Sequence, residues 1–212
     1  MFRKYLFIIK QTLTYIYYKY LKKKRNYTNP LKLHLGCGTI YLKDYVNIDV
    51  STDSVADIVC DFRDIFKLYP INSVSEILMV HSISYLRLWE ARDFLKDCFQ
   101  LLKEGGCLTL EFPDLEKCAS LLLQSNTDYT NYIEAVRGIY AFDLGQINRK
   151  EHFYTYAFGW SAWHIKKELS EIGFSFIDIE SPKTHENRIW RDTRVVAVKG
   201  QPEITNRLEK YN

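Results

Sequence analysis

The chain has 212 residues, 47% of them hydrophobic and 26% charged, with a formal net charge of +3. That length can bury a core without staples. Five cysteines, odd in number and with no C-x-x-C pair, argue against a disulfide framework or a zinc site and for a reducing, cytoplasmic setting.

The net charge hides an uneven distribution. Residues 1–30 carry eight Lys or Arg and no acid, leaving 21 basic and 26 acidic side chains in the remainder. Phe2, Leu6, Ile9, Leu13, Ile16 and Tyr20 recur at spacings of three and four, which predicts a basic amphipathic helix. Lys10 and Gln11 break its apolar run short of the ~20 residues a spanning helix needs, and no small-residue cleavage site marks a signal peptide. Six tyrosines and the run Lys22-Lys23-Lys24-Arg25 suit an anionic membrane surface, so residues 1–25 are expected to sit on the inner face of the membrane. The competing reading packs the same stripe on the body of the protein or on a second subunit, because amphipathicity does not distinguish lipid from protein. The slightly acidic remainder lacks a basic face, so no nucleic-acid partner is expected.

From residue 31 onward, short apolar runs predict strands near 31–35, 46–50, 57–60, 75–80 and 106–112, with an amphipathic helix near 87–103. Pro113-Asp114 opens another helix, and Asp128 to about Gly145 reads as helical. Ser161 is placed to cap a helix from Ala162 that ends at Gly173. Phe174 to Ile179 alternates at strand period, and Arg194 to Val198 is β-branched. Alternating strands and helices predict a doubly wound α/β sheet in three layers, α/β/α, spanning residues 31–200, with 201–212 as a tail.

Leu33-His34-Leu35-Gly36-Cys37-Gly38 ends one apolar run in two glycines, and Val46-Asn47-Ile48-Asp49 ends the next in an acid. Glycines let a backbone approach a ligand where a Cβ would collide, and an acid at a strand tip can accept hydrogen bonds from both ribose hydroxyls. Tyr41 stands where a dinucleotide fingerprint needs a third small residue, so the loop is a poor pyrophosphate cradle. The gap from Gly38 to Val46 holds no more than about two helical turns, and the first crossover helix must be stunted. The bland alternative is a tight turn between buried strands.

These segments resemble class I S-adenosylmethionine-dependent methyltransferases, in the short-crossover form of small bacterial enzymes associated with surface-glycan biosynthesis. Asp57 to Phe62 is similar to their third strand and Ile77 to His81 to their fourth. Leu101 to Asp114 resembles their helix end, glycine turn and fifth strand, and Trp190 to Lys199 their last strand. Where relatives continue from His with Leu-Glu-His, this chain has Ser82-Ile83-Ser84-Tyr85. The resemblance implies a Rossmann-like, mostly parallel sheet with an antiparallel C-terminal edge and S-adenosylmethionine as cofactor. It implies Leu35, Gly36, Cys37, Gly38, Asp49, Asp61, Phe62 and His81 as cofactor residues, and methyl transfer to a saccharide or glycan hydroxyl; the alternatives are methylation of another small molecule or a protein, or a binding or scaffold protein that keeps the fold without turnover. Asp61 could equally be a helix N-cap. A hydroxyl acceptor must lose a proton, a task suited to histidine. His152, in the loop before the helix from Ala162, is the first candidate base and His81 the second. Cys37 has no base near it and is assigned a lining role. Tyr154, Trp160 and Trp190 could stack on a sugar while Asp114, Arg191 and Asp192 bind its hydroxyls; the alternative puts the tryptophans in the core and pairs Arg191 with Asp192. No metal is expected, and oligomerisation is left open.

Overall fold

A computed structural model describes residues 30–141 and 155–200. The expected segment 1–30 and tail 201–212 therefore lie almost wholly outside the described residues. Seven strands form one sheet: β1 (Lys32–Leu35), β2 (Val46–Asp49), β3 (Ile58–Val59), β4 (Val74–Val80), β5 (Leu102–Pro113), β6 (Phe174–Glu180) and β7 (Asp192–Lys199). Their order is β3-β2-β1-β4-β5-β7-β6. The first five pair in parallel, and β7 runs antiparallel to both β5 and β6. This is the doubly wound sheet expected from the strand pattern, with the antiparallel C-terminal edge that the resemblance implies. Its switch point lies at β1, where the chain leaves first toward β2 and then toward β4, and ligands of such sheets bind at the carboxyl ends beside that point.

Among the described residues four α-helices accompany it: α1 (Leu88–Leu101), α2 (Leu115–Gln124), α3 (Tyr129–Tyr140) and α4 (Ala162–Ile172). The core occupies one face, where Leu33, Leu35, Ile77, Met79, Leu108, Leu110, Phe112, Val195 and Ala197 of the sheet meet Phe94 and Leu95 of α1 and Ile165 and Leu169 of α4. At ~25 cal/mol per Å² of apolar area, this burial is the main force holding the layers together. On the other side the β1–β2 and β2–β3 crossovers contain no helix. Of the two outer layers anticipated, the described residues thus supply helices to the core of one.

Local differences from the sequence reading have local causes. The strand β5 begins immediately after α1: Leu102 pairs with Val74, and the register shifts before Cys107 meets Glu76, with Gly105 in the left-handed region at the turn. The helix from Asp128 stops at Tyr140 because Ala141 adopts a left-handed conformation; positions 142–145 lie outside the described residues. Ser161 makes no side-chain cap. The amide of Ala162 donates instead to Asp114 Oδ2 at 3.0 Å, while Asp114 Oδ1 accepts from Glu116 and Lys117 at the start of α2.

The β1–β2 crossover goes further than stunting, since residues 36–45 hold turns only. A buried amide replaces the missing helix. Asn47 Oδ1 accepts from Leu42 N at 3.0 Å, and its Nδ2 donates to Leu42 O, Tyr45 O and Asp57 Oδ2 at 2.9, 3.2 and 3.1 Å. Substituting Asn47→Ala leaves several buried polar groups unpaired at about 1–3 kcal/mol each. Denaturant unfolding of that variant should show a loss of roughly 2–4 kcal/mol; a loss under ~0.5 kcal/mol would mean that the crossover is held by other contacts.

Candidate cofactor and acceptor site

Backbone conformation and one carboxylate shape the glycine loop. Gly36 sits at φ +69°, and a Cβ there would lie 2.5 Å from Ser82 Cβ, so only glycine fits where the loop crosses the end of β4. Gly38 is also left-handed, at φ +52°, but a Cβ built on it meets nothing within 4 Å. The loop is therefore closed on its sheet side and open on the other. Gly36 N and Cys37 N both donate to Ile48 O, at 2.8 and 3.2 Å. Asp49 Oδ2 accepts from Gly38 N at 2.8 Å and its Oδ1 from Ser51 N at 2.8 Å. A carboxylate offers about four lone-pair sites. Two are thus committed to holding the loop and two remain for a ligand.

The flanks agree in part with the sequence reading. Leu35 and Cys37 are buried, and burial, reinforced by the field of Asp49, pushes the Cys37 thiol up to about 12. A thiol so placed lines the loop and is no nucleophile. Asp61 is the N-cap of a 3₁₀ turn (Phe62–Lys67) and is bound by the Arg63 guanidinium, which also reaches Glu90 at 2.8 Å. Burial alone would raise the Asp61 pKa, but the Arg63 hydrogen bonds bring it below the usual carboxylate range. The capping alternative accounts for its contacts. Phe62 packs on Phe94, 5.2 Å between centroids, and lies 3.9 Å from the position of a Gly36 Cβ. Tyr85 and Tyr156 meet edge to face at 4.9 Å, and burial followed by the charge of Asp49 raises the Tyr85 phenol. Neither tyrosine was singled out in sequence.

His81 closes β4 in a left-handed conformation, φ +55°, which is strained for a residue with a Cβ and costs on the order of 1–3 kcal/mol. Two bonds hold it there: His81 N donates to Glu111 O at 2.7 Å, and Nε2 lies 2.9 Å from Asp192 Oδ2. Asp192 is fully buried. Burial opposes its charge, yet the hydrogen bonds from His81 and Arg191 outweigh it and keep the pKa at about 2. Arg191 grips both oxygens, Nε to Oδ1 at 2.7 Å and Nη2 to Oδ2 at 3.1 Å, and is itself 3.5 Å from Glu134. An ionised carboxylate only accepts, so Nε2 of His81 carries the proton and a neutral His81 keeps its lone pair on Nδ1.

His185 stacks on this ring at 4.5 Å with an interplanar angle of 10°. It belongs to the β6–β7 loop, which is tied down by Glu111, a buried acid of β5 accepting from Lys183 N, Thr184 N and His185 N and paired with Arg194. Burial would raise the Glu111 pKa, but those amides bring it below the usual range; burial and the neighbouring His81 push His185 down. Glu111 carried a sequence signal, being an acid within an apolar strand. His185 carried none.

The acceptor-binding expectations divide. Trp160 is wholly buried in the core, bridges Asp114 through its backbone and meets Phe158 edge to face, so it presents no face to a sugar. Asp114 is 3% exposed and is spent on two helix starts. Arg191 and Asp192 form the buried pair that the alternative anticipated. Trp190 is 42% exposed at the rim of the His185 loop. His152 and Tyr154 lie outside the described residues. By donor type, His81, His185 and Asp192, with ligand atoms within 4.8 Å of one another, suit a divalent cation. Their geometry suits a proton better: parallel stacked rings aim their lone pairs in separate planes, and Arg191 already occupies both Asp192 oxygens.

The sheet order, with β7 reversed beside β5, is the Rossmann-like fold seen in S-adenosylmethionine-dependent methyltransferases. Solved structures share it. A SAM-dependent methyltransferase from Methanosarcina mazei is 15% identical with a TM-score of 0.56, the match covering 82% of this chain and 95% of that one. One from Archaeoglobus fulgidus is 13% identical with a TM-score of 0.51, covering 92% of this chain and 100% of that one. Phosphoethanolamine N-methyltransferase 2 of Haemonchus contortus, solved with S-adenosylhomocysteine, is 13% identical with a TM-score of 0.50; the match covers 80% of this chain and 48% of that one. No protein-family model and no curated protein sequence matches the chain.

The depressed Asp192 pKa makes a stability statement. Its contribution, on the order of 2 kcal/mol, is present above pH ~4 and lost as pH falls toward 2. The stability gap between the parent protein and Asp192→Asn should therefore shrink over that window in acid titration monitored by circular dichroism. A gap independent of pH would refute the pairing.

Proposed function

We propose that the protein is an S-adenosylmethionine-dependent methyltransferase acting on a hydroxyl of a saccharide or glycan intermediate. The observation that carries the cofactor reading is Asp49, which closes the glycine loop with two accepted hydrogen bonds and retains two lone-pair sites beside the open face of Gly38. Leu35 to Gly38 and Asp49 would hold the nucleoside, with Asp61 and Phe62 on its flank. The sulfonium would supply an activated methyl group and its own leaving group.

The protein's residues then have to orient the acceptor, exclude water and take its proton. His81 meets the last need, because Asp192 fixes its tautomer with Nδ1 unprotonated and stabilises the imidazolium that forms. It displaces His152 as the first candidate base because its carboxylate partner is in place. Arg191 keeps Asp192 ionised, and Glu111 holds His185 against the ring. The saccharide reading is supported by the exposed Trp190 on the same loop, a flat apolar surface of the kind that sugars stack on.

Calorimetric titration with S-adenosylhomocysteine tests the cofactor step: binding by the parent protein should weaken 10- to 100-fold in Asp49→Ala, the equivalent of about 1.4–2.7 kcal/mol. Absence of binding by the parent protein would overturn the proposal. With a methyl-labelled cofactor and a panel of sugar acceptors, His81→Ala should lower turnover at saturating cofactor by roughly 10²- to 10⁴-fold. An equal loss in His152→Ala and none in His81→Ala would move the proton to the other histidine.

A further inference from the structure

We propose that the stacked histidines bind two adjacent hydroxyl groups of one acceptor, His81 taking the hydroxyl that is methylated and His185 its neighbour, which makes the substrate class a vicinal diol. The inference rests on the methyltransferase reading above. Each ring turns one nitrogen to a buried carboxylate. Nε2 of His81 lies 2.9 Å from Asp192 Oδ2. Nδ1 of His185 lies 3.7 Å from Glu111 Oε1, sealed from solvent and with no hydrogen-bond partner among the described residues. A lone pair directed at a carboxylate is repelled, so the proton of each neutral ring sits on that nitrogen. Burial, then the neighbouring His81, holds His185 below its ordinary pKa and so in the neutral form. The other two nitrogens, Nδ1 of His81 and Nε2 of His185, are left as acceptors on side chains that are 21% and 26% exposed.

The open edges of the pair offer two acceptors and no donor, which calls for a ligand that brings two protons of its own. A divalent cation fits poorly, because it would have to lie in both ring planes, and these are within 10° of parallel with centroids 4.5 Å apart. One hydroxyl has one proton and serves one ring. Two hydroxyls on neighbouring carbons, each donating at ~2.8 Å, meet the two rings separately. The pair also stands where an acceptor has to stand. Ser82, next in sequence to His81, is the residue that a Cβ on Gly36 would strike, and its Oγ donates to Leu35 O at 3.0 Å. The histidines therefore adjoin the glycine loop. The backbone of His185 is fixed independently of its ring, since the amides of Lys183, Thr184 and His185 all donate to Glu111. In the reaction one hydroxyl oxygen bonds to the methyl carbon, the carbon–sulfur bond breaks with its electron pair left on sulfur, and the hydroxyl proton passes to His81 Nδ1. The neighbouring hydroxyl keeps its proton and donates it in a hydrogen bond to His185 Nε2.

Two measurements on the full chain test this. Long-range proton–nitrogen NMR of the histidine rings near neutral pH, with S-adenosylhomocysteine present, should show His81 protonated at Nε2 and His185 at Nδ1. The reverse tautomer at His185 would overturn the inference whatever the acceptor. Methyl transfer is then followed with methyl glycosides of mannose, rhamnose and galactose, each beside the analogue deoxygenated at the carbon next to the methylated one. Loss of that hydroxyl should lower kcat/KM of the parent protein by about 10- to 100-fold. In His185→Ala the KM of the intact glycoside should rise by about tenfold, and the analogue should lose nothing further, because both changes remove the same hydrogen bond. His185→Gln, whose amide oxygen can accept in place of Nε2, should recover part of the affinity. Independent, additive losses would overturn the diol while leaving methyl transfer intact. So would transfer that fails in EDTA and returns with Mn²⁺, which assigns the nitrogens to a cation. Absence of transfer to every glycoside, with S-adenosylhomocysteine bound, would remove the saccharide reading and the diol together.

Discussion

A carboxylate without water has to be surrounded by donors, and Asp192 has them from two directions: Arg191 from its own chain and His81 from the end of β4. The arrangement depends on the one strand inserted in reverse. Because β7 runs antiparallel to β5, its first residue, paired with Pro113, lies at the edge where the parallel strands finish. A parallel strand in the same place would put its final residue there and carry Asp192 to the opposite edge. Reversal thus brings an acid from late in the chain against a histidine 111 residues earlier. It also lets the preceding loop, anchored by Glu111, set His185 on top.

The sheet was legible in sequence because its apolar runs are short, separated by turn residues and ended by glycine or acid. Every strand candidate from residue 31 onward falls within or beside an observed strand. The glycine loop and Asp49 were legible for the same reason: local spacing carries their geometry. The His81–His185–Asp192 cluster was only partly so. His81 and Asp192 were singled out separately, for different tasks, since nothing in local pattern shows that residues so distant meet. Trp160 and Asp114 show the converse limit. An aromatic ring and an acid beyond a strand end look like ligands for a sugar, but the first is consumed by packing and the second by helix amides.

The helix-free crossover shows a fold element replaced by side-chain chemistry. Asn47 projects from the same strand that ends in Asp49, and together they pin both ends of residues 38–45. A helix would satisfy its backbone groups internally, whereas here one amide satisfies several of them at once. The loop therefore holds its shape through β2 itself, and the polar face of that strand is occupied with this work.

Asp114 joins the first turns of α2 and α4, whose starts are 47 residues apart. The hydrogen bonds fasten the two helices at their roots like leaves on a common pin. Any displacement of one root relative to the sheet must then carry the other helix with it. The joint touches neither the glycine loop nor the paired histidines, and its pivot is sealed from solvent.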